Sequence, residues 1–165
     1  MIARLAAWTL VAGLTVGAAA QAEPPPLSQG ETLYVPVYSH ILHGNLDSRG
    51  NATRVLLSSM LSIRNTDPKR AIHIRSVRYY DTDGGLLRDY KEAVRRLGPL
   101  GSTDLLIEHK NAAGGSGANF LVTWESETPV NPPILETINV YLFGAQSVAF
   151  ASPGRAIRTD ESGLP

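Results

Sequence analysis

Apolar residues recur at every second position through most of this chain, in short runs broken by Gly, Pro, Asn and Asp, and that period limits the fold most. A period of two belongs to extended strands, where successive side chains point to opposite faces. Val55, Leu57, Leu61 and Ile63 alternate with Arg54, Ser58, Ser62 and Arg64, which predicts a strand with one buried and one wet face. Asn65-Thr66-Asp67-Pro68 ends it with turn-forming residues. Upstream, Leu33, Val35, Val37 and Ile41 fall on one face, and Tyr34, Tyr38 and His40 on the other. Pro36 has no N–H to give, so this strand is expected at a sheet edge or at a bulge.

Downstream, the apolar phase slips between Ile72/Ile74 and Val77/Tyr79. A one-residue slip would turn side chains to the wrong face, so a bulge is expected near Ser76. Asp83-Gly84, or the neighbouring Gly85, closes a hairpin into residues 86–90. Residues 91–97 suit a helical turn ended by Gly98-Pro99, and further strands are expected at 103–109, 120–125, 134–143 and 147–151. Seven or eight short strands without a long amphipathic helix predict an all-β fold. The expected form is an antiparallel immunoglobulin-like or fibronectin-like β-sandwich, with a small barrel as the other closure. The expected core includes Leu33, Val35, Leu61, Ile63, Ile74, Val122, Trp124 and Ile138.

The N-terminus carries the address. Arg4 precedes an apolar run at residues 5–14, and small residues follow as far as Ala20-Gln21-Ala22. That is the layout of a secretory signal peptide with an A-x-A cleavage site. The run is shorter than the ~20 residues a membrane span needs, so cleavage is expected rather than a retained anchor. The expected layout is a signal peptide at 1–22, a Pro-rich lead-in at 23–30, a sandwich domain at 31–152 and a flexible tail at 153–165. Export points to the periplasm or the extracellular space. Arg4 is the one charged residue in the removed segment, so 14 basic residues remain against 15 acidic ones, a net charge of −1. Such a surface has no overall pull towards nucleic acid or anionic lipid. The chain has no cysteine, so an exported fold must hold without disulfides, and thiolate catalysis and Cys-based zinc sites are excluded.

Three stretches invite chemistry. Gly114-Gly115-Ser116-Gly117-Ala118-Asn119 suggests a phosphate loop or a nucleophile elbow centred on Ser116, but both need a helix to follow. Phe120-Leu121-Val122 begins a strand instead. His40 and His43 lie beside Tyr38, yet residues three apart in a strand face opposite ways and a metal needs a third ligand. Asp81-Thr82-Asp83-Gly84 resembles part of a calcium loop without its closing Glu, and a hairpin turn explains it as well. No catalytic residue, metal site or cofactor is assigned on these grounds. If the domain binds a partner, the contacts are expected at Tyr38, His40, His43, Ser116, Gly117 and Asn119. Loops at sandwich ends carry recognition, glycines admit close approach, and Tyr supplies rigid area.

Several phrases occur together: Leu33-Tyr34-Val35-Pro36-Val37-Tyr38-Ser39, Ser62-Ile63-Arg64-Asn65-Thr66-Asp67-Pro68, Val77-Arg78-Tyr79-Tyr80-Asp81, Ser116-Gly117-Ala118-Asn119-Phe120 and Asn131-Pro132-Pro133-Ile134. With them the chain resembles an uncharacterised bacterial family of secreted proteins, a domain of unknown function, over roughly residues 31–154. The resemblance implies bacterial origin and export, and supplies no activity. The strand ending at Asn65 and the Tyr-Tyr-Asp hairpin are also similar to immunoglobulin-like accessory domains of exported proteins. The expected role is a non-enzymatic binding or accessory module of the bacterial envelope, facing a protein or another envelope component. A periplasmic metal-binding protein using His40 and His43 is the alternative, and a hydrolase using Ser116 a weaker one. Mass spectrometry of the exported protein is expected to find Glu23 first; an intact Met1 in the membrane fraction would refute cleavage.

Overall fold

The computed structural model describes residues 23–159; the expected signal peptide at 1–22 and residues 160–165 of the expected tail lie outside them. Among the described residues the strands are β1 (Ser28–Pro36), β2 (His40–His43), β3 (Thr53–Leu56), β4 (Ser58–Arg64), β5 (Ile72–Tyr80), β6 (Leu86–Asp89), β7 (Arg95–Leu97), β8 (Ser102–Ile107), β9 (Asn119–Val130), β10 (Ile134–Phe143), β11 (Gln146–Pro153) and β12 (Arg155–Ile157). One sheet runs β12-β1-β9-β5-β6, with β7 also paired to β5; the second runs β11-β10-β4-β8; β2 and β3 form a separate ribbon. Every pairing is antiparallel. Among the described residues no helix is long and apolar enough to cross a membrane.

Leu33, Val35, Val77, Phe120, Val122 and Trp124 of the first sheet meet Leu61, Ile63, Ile107 and Leu135 of the second in one buried cluster. This is an all-β antiparallel sandwich without a disulfide. It has more than the expected seven or eight strands because β7 and β12 are short pieces along the edges and the ribbon of β2 and β3 stands apart from the strands on either side of it. The phase slip in β5 is a bulge: pairing with β9 shifts between Ile74 and Ser76, and Ile72, Ile74, Val77 and Tyr79 all stay buried. β1 lies inside its sheet, but pairing with β12 stops at Tyr34. Pro36 therefore has no strand on that side, which its missing N–H tolerates.

Four expectations need correction. Ile138 is half-buried on the outer face; the inner face of β10 carries Leu135, Thr137 and Asn139. Its two inward polar residues serve the neighbouring backbone, a tertiary demand that apolar patterning does not encode. Residues 91–97 form a short 3-10 turn (Lys91–Ala93) followed by β7, because Ile72 and Ile74 offer β7 a ladder. β1 starts inside the expected lead-in, at Ser28. Residues 155–157 are a strand rather than tail, pairing with Thr32, Leu33 and Tyr34. The chain reaches that sheet from β11 through Gly154, whose N–H donates to Leu135 O at 2.7 Å. A Cβ there would lie 2.9 Å from Val35 Cγ2 and 3.0 Å from Leu135 O, so only glycine passes without displacement.

At the end where β4 stops, the expected turn is a buried knot. Asn65 Nδ2 donates to Arg70 O and Gly98 O, each at 2.8 Å. Asp67 Oδ1 accepts from the N–H groups of Lys69 and Arg70, and Oδ2 from that of Asn131. The Lys69 N–H, helped by those of Asn131 and Arg70, holds the Asp67 carboxyl below the usual carboxylate range against the opposing effect of burial.

Trp124 is 1% exposed, and its Nε1 makes no hydrogen bond with the protein. Trp124→Ala is expected to cost about 3–5 kcal/mol in denaturant unfolding. Trp124→Phe should cost less, since it also removes an unpartnered buried N–H. A cost under about 1 kcal/mol for the alanine variant would contradict this core.

Candidate functional site

At Pro36 the chain leaves β1 and crosses the open mouth between the sheets before starting the ribbon. Its backbone groups there have no ladder, so each needs another partner. Thr137 Oγ1 donates to Pro36 O at 2.5 Å, and Tyr38 N–H donates to Asn139 Oδ1 at 3.2 Å. Ser59 Oγ donates to Tyr38 O at 2.9 Å. Asn139 Nδ2 in turn donates to Thr137 Oγ1 and Ser152 Oγ, both at 3.3 Å. The polar inner face of β10 thus serves the crossing chain.

The glycine loop closes the other side of this mouth. Val37 N–H donates to Ala118 O and Ser39 N–H to Gly115 O; Thr82 donates to Gly114 O through both N–H and Oγ1. Gly117 N–H returns a bond to Thr82 Oγ1 at 3.0 Å. Under the loop, Ser39 Oγ and Tyr79 Oη are 3.1 Å apart. Burial raises the Tyr79 pKa, with the Ser39 hydrogen bond opposing it. A Cβ on Gly114 would lie 2.0 Å from Tyr79 Oη and 2.7 Å from Ser39 Oγ. The loop is a fitted plug, and glycine at 114 is what lets it seat.

The residues expected from sequence fall around this plug in different settings. Tyr38 is half-buried, edge-on to Phe150 with ring centroids 5.4 Å apart. Ser116 is exposed, makes no hydrogen bond and precedes β9, so no strand-to-helix elbow forms around it. Gly117 is held by Thr82, and Asn119 sits half-buried between Pro36 and Tyr80 as the first residue of β9. His40 is only 8% exposed, with Nδ1 unpartnered. Burial, and secondarily the Arg54 guanidinium, push its pKa below that of an ordinary histidine. His43 is exposed at the far end of the same strand. The two rings do not converge, and among the described residues no three His, Cys, Asp or Glu side chains group to hold a metal ion. Asp81 Oδ1 accepts from the N–H groups of Asp83 and Gly85, a hairpin turn as expected.

Sequence reasoning missed the cleft beside His43. Ile41, His43 and Val55 of the ribbon face Tyr141, Ser147 and Val148 of the β10–β11 hairpin across about 240 Å³. Tyr141 also borders a second cleft of about 300 Å³ with Ser58, His109, Val140 and Leu142. Beyond it, Leu106, Met60, Ile138 and Ala151 form one cross-strand row on the outer face of the four-stranded sheet. The strand that borders this region, β11, pairs among the described residues only with β10. It reads Gln-Ser-Val-Ala-Phe-Ala-Ser-Pro, without a charge. The other edge strands of the two large sheets carry charges: Asp104 in β8, Arg155 in β12, Arg88 and Asp89 in β6, and Arg95 and Arg96 in β7. Sheets guard free edges with charge; among these, β11 is the unguarded one.

A family model described as "Protein of unknown function (DUF3124)" matches residues 30–157. No curated protein matches the chain in sequence. The chain is similar to the crystal structure of Thermotoga maritima 1070, at 12% identity over 76% of this chain and 92% of that one, with a TM-score of 0.41.

Gly114→Ala is expected to destabilise the fold by about 1–3 kcal/mol, as overpacking does. In a Tyr79→Phe background part of that cost should vanish, because the hydroxyl is the nearest obstacle. A cost below about 0.5 kcal/mol would mean that the loop moves freely and is no plug.

Proposed function

The chain belongs to the DUF3124 family of proteins of unknown function, and we propose that it is a non-enzymatic binding module of the bacterial envelope that takes an extended segment of a partner polypeptide along β11. The unguarded edge carries this reading. A strand without charges, free on one side, offers a row of N–H and C=O groups to a guest strand. Ladder hydrogen bonds supply affinity in such pairing, and pockets for alternate side chains supply selectivity. The cleft of Ile41, Val55, Tyr141 and Val148 is such a pocket, apolar and next to the start of β11. His43 stands on its rim, which joins one of the residues expected from sequence to the site. The signal-like N-terminus and the resemblance to secreted proteins support export, to the periplasm or the extracellular space.

A photo-reactive residue at Ala149, exposed on β11, tests this in intact cells. It is expected to give a discrete adduct with another polypeptide, whereas the same residue at Thr123, on the outer face of the other sheet, gives none. Ala151→Lys supplies the missing guard charge and should suppress the adduct about tenfold or more while leaving the melting transition in place. Equal labelling from both positions, or an adduct with a second copy of this chain alone, would overturn the proposal.

A further inference from the structure

The opposite end of the sandwich holds a chemically different cleft. It measures about 250 Å³ and is lined by Lys69, Arg70, His73, Arg96, Glu127 and Thr128, together with Ala71 and Ser126. The fold builds it from three directions. The Asn65–Asp67 knot presents Lys69 and Arg70. Arg96 of β7 is the direct cross-strand partner of His73 of β5, and both point outward because their neighbours Ile72 and Leu97 are buried. The end of β9 closes the third side and is tied down twice: Ser126 Oγ donates to Ala71 O at 3.1 Å, and Arg70 Nη1 donates to Pro129 O at 2.6 Å.

The charges around it do not cancel. Among the described residues Lys69 and Arg96 have no ion-pair partner. Of the carboxylates outside the lining, Asp67 binds three backbone N–H groups and interacts with the Arg70 charge, and Glu125, across the ladder from His73, is bound by Arg75. Glu127 is the one acid in the lining. Lys69, Arg70 and Arg96 against Glu127 leave the lining with an excess of positive charge, and the excess remains when the Asp67 carboxylate beside Arg70 is counted.

We propose that this cleft binds a phosphate group, free or as a monoester. A phosphate monoester carries about −1.5 to −2 charge at neutral pH and is drawn to an excess of cations. Arginine forks and a lysine ammonium suit its three oxygens, and the Thr128 hydroxyl adds a neutral donor. The assignment does not depend on the role of β11, because no residue is shared between the two sites.

Titrating the purified, isotope-labelled protein with glucose 6-phosphate and, separately, inorganic phosphate tests it, with glucose and sodium chloride as controls. Saturable amide shifts are expected at residues 69–71, 96 and 126–128 with the phosphates and not with the controls. Lys69→Gln and Arg96→Gln should each weaken binding about tenfold, the loss of one charge-assisted hydrogen bond. Glu127→Gln should tighten it, an effect that a merely structural role for these residues would not produce. Tighter binding of glucose 6-phosphate than of inorganic phosphate assigns the site to an ester, and equal binding to the free anion. No saturable shift, or midpoints unchanged in all three variants while their melting transitions are intact, would overturn the proposal.

Discussion

The segment from Pro36 to Ser39 crosses from one sheet towards the ribbon without a ladder of its own, and much of the surrounding structure follows from satisfying its backbone. A buried N–H or C=O left unpaired costs roughly 1–3 kcal/mol, so several together would exceed what a domain of this size has in reserve. The chain answers with side chains from β4 and β10, namely Ser59, Thr137 and Asn139, and with carbonyls of the glycine loop. Each answer restricts something else. Polar residues fill part of the inner face of β10, so its apolar partners Ile138 and Val140 turn outward. The glycine loop must lie flat against Tyr79 and Ser39, so residue 114 has no room for a side chain. The ribbon is fixed in turn, since Leu57 N–H bonds to Ser39 O as the chain returns.

This explains which parts of the fold were legible in the sequence. Strands whose faces divide into apolar and polar, such as β4 and β5, could be read directly, down to the bulge beside Ser76. Hairpin chemistry at Asp81 and Gly84 was equally plain. β10 misled because Thr137 and Asn139 are inside for reasons that lie far along the chain. β12 was hidden because three residues, Arg155-Ala156-Ile157, carry no period; they form a strand only because β1 has an open side there. Of the expected site residues, Tyr38 and the glycine loop lie close together in the fold, and their structural role there was not legible in the sequence. There the glycines accommodate Tyr79 and Thr82, whereas the sequence suggested room for a ligand.

The absence of charge in β11 was visible in the sequence and meant nothing until the topology made that strand an edge. The same holds for the basic cleft. Lys69, Arg70, His73 and Arg96 are scattered over twenty-eight positions, and a net charge near zero gave no reason to connect them. The antiparallel ladder sets Arg96 opposite His73, while the Asp67 knot turns Lys69 and Arg70 towards them. A neutral total hid a surface divided into an apolar edge at one end and a cationic cleft at the other.

That division bears on how a sandwich without disulfides organises its surface. Its cohesion rests on one apolar cluster spanning both sheets and on backbone-satisfying knots at either end. Asp67 illustrates the economy of this arrangement. Its carboxylate binds three backbone N–H groups, and those bonds fix the turn that carries Lys69 and Arg70. The interaction that fastens the end of the fold is therefore the one that places two cations at the cleft. At the other end the logic is parallel: spending Thr137 and Asn139 on the crossing chain sends Ile138 and Val140 outward, beside the uncharged edge. In both places a surface property follows from how the interior meets its hydrogen-bonding requirements.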